Sequence, residues 1–156
     1  MIPLLTSAYK LLISVGTALQ SPFLLVVRLY WGWQFFIDGK GKLTNFEKVA
    51  KYFMDLNIPL PGFNAALVST IELVGGLLLV IGLASRLTTV PLIVIMTMAF
   101  VTADSEAFKS FFSDPDKFFA ATPFLFLFAS LLILIFGPGK FSIDHFLKRK
   151  FAPDKS

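Results

Sequence analysis

Apolar residues along this chain fall into four long runs, separated by short breaks rich in charged residues, proline and glycine. The runs cover about residues 22–38, 63–83, 87–103 and 115–136. A helix needs about 20 mainly apolar residues to cross a bilayer, fewer at the lower limit. The pattern therefore predicts an all-α integral membrane protein with four spans in one bundle.

Shorter segments at the ends and between the spans have a different pattern. Residues 1–20 carry apolar side chains at helical spacing with polar ones among them, which predicts either an N-terminal amphipathic helix at the membrane surface or a helix leading into the first span. Residues 44–56 place apolar side chains on one helical face and charged ones on the other, so they predict an interfacial helix too short to span. A short basic amphipathic helix is expected after Ser142, a candidate cap.

Prolines mark several predicted helix ends. Pro22 is placed in the first turn of the first span, which is expected to end near Asp38. Asp114 and Pro115 read as the N-cap and first residue of the fourth span. Pro123 is expected to kink that span without ending it.

Composition supports the membrane class and limits the chemistry. Of the 156 residues, 56% are hydrophobic and 15% charged, against about 45–50% and 25% in soluble domains. The length suits a single domain over residues 1–156. Without cysteine and with His145 as the single histidine, the chain alone builds no disulfide, iron–sulfur, multi-histidine metal or haem site. Electron transfer would need an organic cofactor or a partner subunit.

The net charge of +4 points to lipid rather than to nucleic acid. Its densest cluster, Lys148-Arg149-Lys150, follows the last span directly, where basic side chains meet anionic head groups. The same cluster favours a cytoplasmic location for both termini.

Glu72 is the one ionisable residue within the apolar run 63–83. A charge at mid-membrane costs about 2.5–3.5 kcal/mol on insertion scales, so such residues usually face a partner or a wet cavity. Glu72 is therefore the first candidate for a functional, catalytic group. The alternative is a carboxyl group that only holds helices together.

Arg28 is the second candidate and the predicted partner of Glu72. It is placed about 9–12 Å deep and Glu72 about 16 Å from the same face, a difference that an arginine side chain covers. A nearby opposite charge offsets the desolvation of a buried carboxylate. The alternative is an arginine that reaches back to the lipid surface.

Helical spacing adds further candidates around these two charges. A ligand pocket would be lined from the first span by Trp31, Gln34 and Phe35, and from the second by Ser69, Gly75 and Gly76. The two glycines remove bulk one turn from Glu72, which suits either a ligand or plain helix packing. No metal site is predicted.

Three blocks resemble the DoxX family of small membrane proteins. They are Arg28-Leu29 with Gly32, Asp38-Gly39 and Lys42-Leu43; Pro61 ahead of Glu72-Leu-Val-Gly-Gly-Leu and Ile81-Gly-Leu-Ala-Ser-Arg86; and Gly137-Pro-Gly-Lys-Phe-Ser-Ile-Asp144. The resemblance covers roughly residues 22–146 and implies a four-helix bundle in the cell inner membrane.

The family includes the small subunit of thiosulfate:quinone oxidoreductase, so the resemblance implies quinone as a candidate cofactor. One hypothesis is a quinone-interacting subunit of an oxidoreductase assembly, with Arg28 and Glu72 at the site. The other is a non-catalytic assembly subunit in which this pair fixes helix register. Partner subunits or a homo-oligomer are expected under both, and the sequence leaves the choice open.

Overall fold

The computed structural model describes residues 2–151, with side chains from residue 6 onward. Regular structure in this part of the chain is entirely helical. In chain order the helices are α1 (Ile2–Thr44), α2 (Phe46–Asp55), α3 (Pro61–Ile81), α4 (Ser85–Thr102), α5 (Ser105–Lys109), α6 (Pro115–Ala120), α7 (Thr122–Phe136) and α8 (Ile143–Phe151).

Four of these helices form the bundle. Helix α1 packs against α3, α3 against α4, α4 against α7, and α7 against α1, which closes the ring. Phe35, Leu79, Leu92, Phe126 and Ile133 fill its centre. Outward-facing side chains such as Val94 and Phe128 are apolar and exposed, as in a helix bundle surrounded by lipid. The predicted all-α membrane bundle is confirmed.

Three helices in the described part of the chain are long and apolar enough to cross a membrane, namely α1, α3 and α4. The fourth member of the ring, α7, has 15 residues and is shorter. Its length gives about 22 Å at 1.5 Å per residue, less than the hydrocarbon thickness of about 30 Å.

The helix of the first span neither starts at Pro22 nor ends near Asp38, as the sequence suggested. Helix α1 runs unbroken for 43 residues, and Pro22 lies inside it. Residues 38–42 continue the helix. Gly39, among them, packs so closely against α3 that a side chain would not fit. Of the two alternatives for the N-terminal segment, the helix leading into the first span is confirmed: this segment is the first half of α1, and its side chains from Thr6 to Gln20 are exposed.

The predicted fourth span, 115–136, is also corrected. It starts as expected, with the Asp114 carboxylate accepting a hydrogen bond from the Lys117 amide. However, Ala121 is extended (ψ 129°) and separates α6 from α7, whose first turn contains Pro123. The first turn of a helix makes no internal hydrogen bonds through its N–H groups, so a proline there loses none. Pro123 therefore lies at the start of a helix, where the sequence had suggested a kink.

Candidate functional site

Glu72 lies in the bundle interior and forms an ion pair with Lys42. Both of its carboxylate oxygens are 2.5 Å from the Lys42 ammonium nitrogen. The Glu72 side chain is only 1% exposed, whereas the Lys42 side chain is 33% exposed. The pair therefore joins a buried carboxylate to a cation that reaches the surface of the bundle.

Close packing of α1 on α3 produces this pair. A Cβ atom added to Gly39 would lie 2.7 Å from the backbone oxygen of Ser69, so the two helix backbones are in direct contact there. About two turns away along α1, Gly32 and Gly76 meet in the same way. Small residues allow such an approach between membrane helices. Lys42, one turn after Gly39, is thereby held beside Glu72.

Asp38 completes a set of three ionisable groups near the middle of α3. It lies one helical turn before Lys42 on α1 and interacts electrostatically with both Lys42 and Glu72. As a residue Asp38 is exposed. The set, Asp38, Lys42 and Glu72, thus runs from the surface into the interior.

The predicted pair between Arg28 and Glu72 is wrong. Arg28 is 2% exposed, but its guanidinium lies beside Gly82, at the C-terminal end of α3. Gly82 is ten residues from Glu72, or about 15 Å along a helix. The sequence suggested the pair because it counted depth from a helix start at Pro22, whereas packing of α1 on α3 places Arg28 level with the end of α3.

Arg28 instead binds the segment that closes the bundle, residues 137–144. Its two terminal nitrogens donate to the carbonyl oxygens of Pro138 (2.8 Å) and Phe141 (2.6 Å). Its Nε has no hydrogen-bond partner. An arginine presents several donors in a fixed planar array, which suits two carbonyls at once.

Asp144 secures the same end of the bundle. Its two carboxylate oxygens accept hydrogen bonds from the backbone amides of Ala84 (2.6 Å) and Ser85 (2.8 Å), at the start of α4. These amides would otherwise be among the unpaired donors of a helix N-terminus. Sequence reasoning gave Asp144 no role, although it belongs to the closing block that resembles the DoxX family.

Several of the predicted pocket residues make contacts within the bundle. Phe35 is fully buried and, with the half-buried Trp31, packs on the ring of Phe126 at centroid distances of 4.6 and 4.9 Å. The Ser69 hydroxyl donates to the Ala65 carbonyl of its own helix. Gln34 is half-buried on α1.

The gap predicted at the two glycines is filled by protein. Gly76 faces the backbone of α1 at Gly32 and Phe36, and Gly75 faces the side chain of Leu92 on α4. At these two positions the structure shows helix packing, which was the alternative to a ligand gap. A ligand-binding role for any of the six predicted pocket residues stays a prediction.

Comparison with known proteins places the chain in a family. The sequence profile of the DoxX family matches residues 23–105, which include Arg28, Asp38, Lys42 and Glu72. The chain belongs to the DoxX family.

Three relatives are similar to it, each at 29% identity. They are "Putative oxidoreductase CatD" of Bacillus subtilis, over 79% of this chain and 85% of the relative; the inner membrane protein YqjF of Escherichia coli, over 85% and 98%; and an uncharacterized membrane protein of Mycobacterium tuberculosis, over 83% of each. No solved structure matches the chain.

Within this DoxX protein, the family match covers all of the Lys42–Glu72 cluster but only part of the cluster formed by Arg28 and Asp144. Asp38, Lys42 and Glu72 all lie inside the matched residues, whereas Asp144 and the carbonyls that Arg28 binds lie beyond them. Lys42 was overlooked because the sequence placed it in a loop, although the block Lys42-Leu43 carried part of the resemblance.

Proposed function

We propose that this DoxX protein is a membrane subunit of an oxidoreductase assembly and supplies protons to a quinone through Lys42 and Glu72. The supporting observation is the route of titratable groups from exposed Asp38 through Lys42 to buried Glu72. The relative CatD carries an oxidoreductase name, which agrees with this proposal.

Quinone reduction consumes two electrons and two protons and yields a quinol. In the proposed mechanism Lys42 is the group that touches the quinone, because a third of its side chain is exposed, and its ammonium donates a proton to the reduced carbonyl oxygen. Asp38, the exposed member of the set, returns a proton to the Lys42 amine, and the Glu72 carboxylate holds Lys42 as a charged ammonium ion. The electrons come from a partner subunit carrying a redox cofactor, since this chain has no cysteine and one histidine.

The test is Glu72→Gln in the native assembly, with quinone-linked turnover measured per assembled complex. Glutamine keeps the shape of the side chain but carries no charge to hold Lys42 as an ammonium ion, so turnover should fall about a hundredfold, the lower end of the usual range for general acid–base groups. Glu106→Gln is the matched control, because Glu106 forms the exposed ion pair with Lys117 at 3.0 Å. Unchanged turnover in Glu72→Gln would rule out the proton role.

A second candidate function, a purely structural subunit, is favoured by the contacts of Arg28. Both of its terminal nitrogens hold backbone carbonyls, and nothing about this geometry requires a ligand. If Glu72 and Lys42 likewise only fix helix register, Glu72→Gln should lower the amount of assembled complex while turnover per complex stays normal.

We also propose that the protein resides in the inner membrane with both termini in the cytoplasm. The end of the bundle that contains the closing segment carries Arg86, Lys140 and the cluster 148–150, which suits the cytoplasmic side. A fluorescent protein fused after residue 156 should fluoresce, and alkaline phosphatase fused there should be inactive. The reverse result would invert the topology.

A further inference from the structure

The closing end of the bundle contains a cavity that none of the catalytic arguments uses. It has a volume of about 570 Å³ and lies between α1, the start of α4 and the closing segment. Its lining combines basic side chains with apolar ones. The basic residues are Arg86, Lys140, His145 and Lys148, and the apolar ones include Leu24, Leu87 and Phe136.

The charges in this cavity favour an anionic ligand. Three of the lining residues, Arg86, Lys140 and Lys148, are cations with exposed side chains. The one lining carboxylate, Asp144, has both oxygens engaged by the Ala84 and Ser85 amides.

The apolar half of the lining selects an amphipathic ligand. A second cavity of about 530 Å³ adjoins the first, because Gln20, Leu24 and Phe136 line both. Its remaining lining residues are Gly16, Thr17, Leu19 and Phe23, which form a mainly apolar groove along α1. A small soluble anion would leave this groove empty, whereas a lipid with a phosphate head group would occupy both parts.

We propose that this double cavity is a binding site for an anionic phospholipid. Its phosphate accepts hydrogen bonds from Arg86, Lys140 and Lys148, and the start of an acyl chain lies against Leu24 and Phe136. The site is about 27 Å from the Lys42–Glu72 pair along α1, taking the 18 residues from Leu24 to Lys42. It is therefore independent of the proposed quinone function.

The experiment titrates the purified full-length chain in neutral detergent with short-chain phosphatidylglycerol and, separately, phosphatidylcholine, and follows retained lipid by native mass spectrometry. Phosphatidylglycerol should bind with one site per chain, and phosphatidylcholine at least about tenfold more weakly. The double variant Lys140→Gln/Lys148→Gln should weaken phosphatidylglycerol binding about thirtyfold, from the usual contribution of each lysine near an anionic lipid.

The matched control is Arg149→Gln/Lys150→Gln, which removes two charges from α8, the helix of Lys148, at positions that do not line the cavity. It should change binding less than about threefold. Equal losses in the two double variants would overturn the site and leave only general attraction to basic residues. Equal binding of the two lipids would overturn it as well.

A third arm distinguishes the lipid from a free phosphate. Inorganic phosphate and glycerol 3-phosphate are added to the lipid complex at millimolar concentration, and the proposed site should retain its lipid. Displacement by either soluble anion would assign the cavity to a free phosphate ester and overturn the lipid proposal. The variants lie on the exposed surface, so a folded protein is expected in every arm.

Discussion

At the residue scale, Glu72 shows how a charge is kept inside an apolar bundle. Its desolvation is offset by one cation at contact distance, and that cation is supplied by a helix that continues past the predicted end of the span. Breaking a buried ion pair costs more than replacing both partners by apolar groups, because a single substitution leaves an uncompensated charge.

This asymmetry predicts the behaviour of single and double variants. Lys42→Met should destabilise the protein by about 3 kcal/mol, near the lower end for buried pairs since Lys42 is partly exposed. Lys42→Met/Glu72→Met should recover most of that loss. Thermal unfolding in detergent measures both. A double variant as unstable as the single one would mean that the pair contributes net stability.

The sequence was sufficient to predict Glu72 as a site residue, but it was not sufficient to predict its ion-pair partner. A lone carboxylate in a 21-residue apolar helix stands out by composition alone. Its partner depends on where α1 ends, and Asp38-Gly39-Lys40-Gly41-Lys42 has the composition of a loop. Only the contact of Gly39 with α3 shows why these residues stay helical.

At the element scale, glycines at the α1–α3 contact set the distance between these helices. Gly39→Ala should force α1 away from α3, because the new Cβ would meet the Ser69 oxygen. The melting temperature should fall clearly, by the several degrees expected for an overpacked contact costing about 1–3 kcal/mol.

Gly41→Ala is the matched control for that substitution. It lies two residues further along the same helix, and a Cβ atom there meets nothing within 4 Å. Alanine is the better helix former by about 1 kcal/mol, so Gly41→Ala should be neutral or stabilising. A similar loss of stability in the two variants would show that backbone flexibility, rather than close packing, explains Gly39.

The prolines show why element boundaries were harder to predict than the elements themselves. Pro22 was placed at a helix start and lies inside α1, whereas Pro123 was placed inside a helix and lies in the first turn of α7. A proline is compatible with both positions locally, provided that neighbours tolerate the missing hydrogen bond. Packing between helices decides, and a single sequence does not contain it.

At the scale of the whole molecule, the bundle is secured by two separate polar clusters. Arg28 and Asp144 hold the closing segment at one end, and Lys42 with Glu72 joins α1 to α3 near the middle of α3. Arg28 and Lys42 are 14 residues apart on α1, or about 21 Å. The single predicted pair has thus become two sites with different partners.

The first consequence concerns the closing segment. Arg28→Lys keeps the positive charge but replaces a planar array of donors by one ammonium group, which cannot reproduce both carbonyl contacts. Hydrogen exchange in residues 137–144 should become at least about tenfold faster, while exchange in α3 around Glu72 stays as in the parent protein. Unchanged exchange in the closing segment would show that Asp144 suffices to hold it.

The two-cluster arrangement also predicts how substitutions at its ends combine. Groups more than about 7–10 Å apart with no shared partner have additive effects on the free energy of unfolding, within about 0.5 kcal/mol, whereas groups in direct contact deviate by about 0.5–3 kcal/mol. The structure separates Arg28 from Glu72 by about 15 Å along the bundle, so Arg28→Gln and Glu72→Gln should be additive in the double variant. Lys42→Gln and Glu72→Gln, in contrast, should show a clear coupling energy. Strong coupling of Arg28 to Glu72 would mean that they do form the direct pair that the sequence suggested, and that both clusters have been assigned the wrong partners.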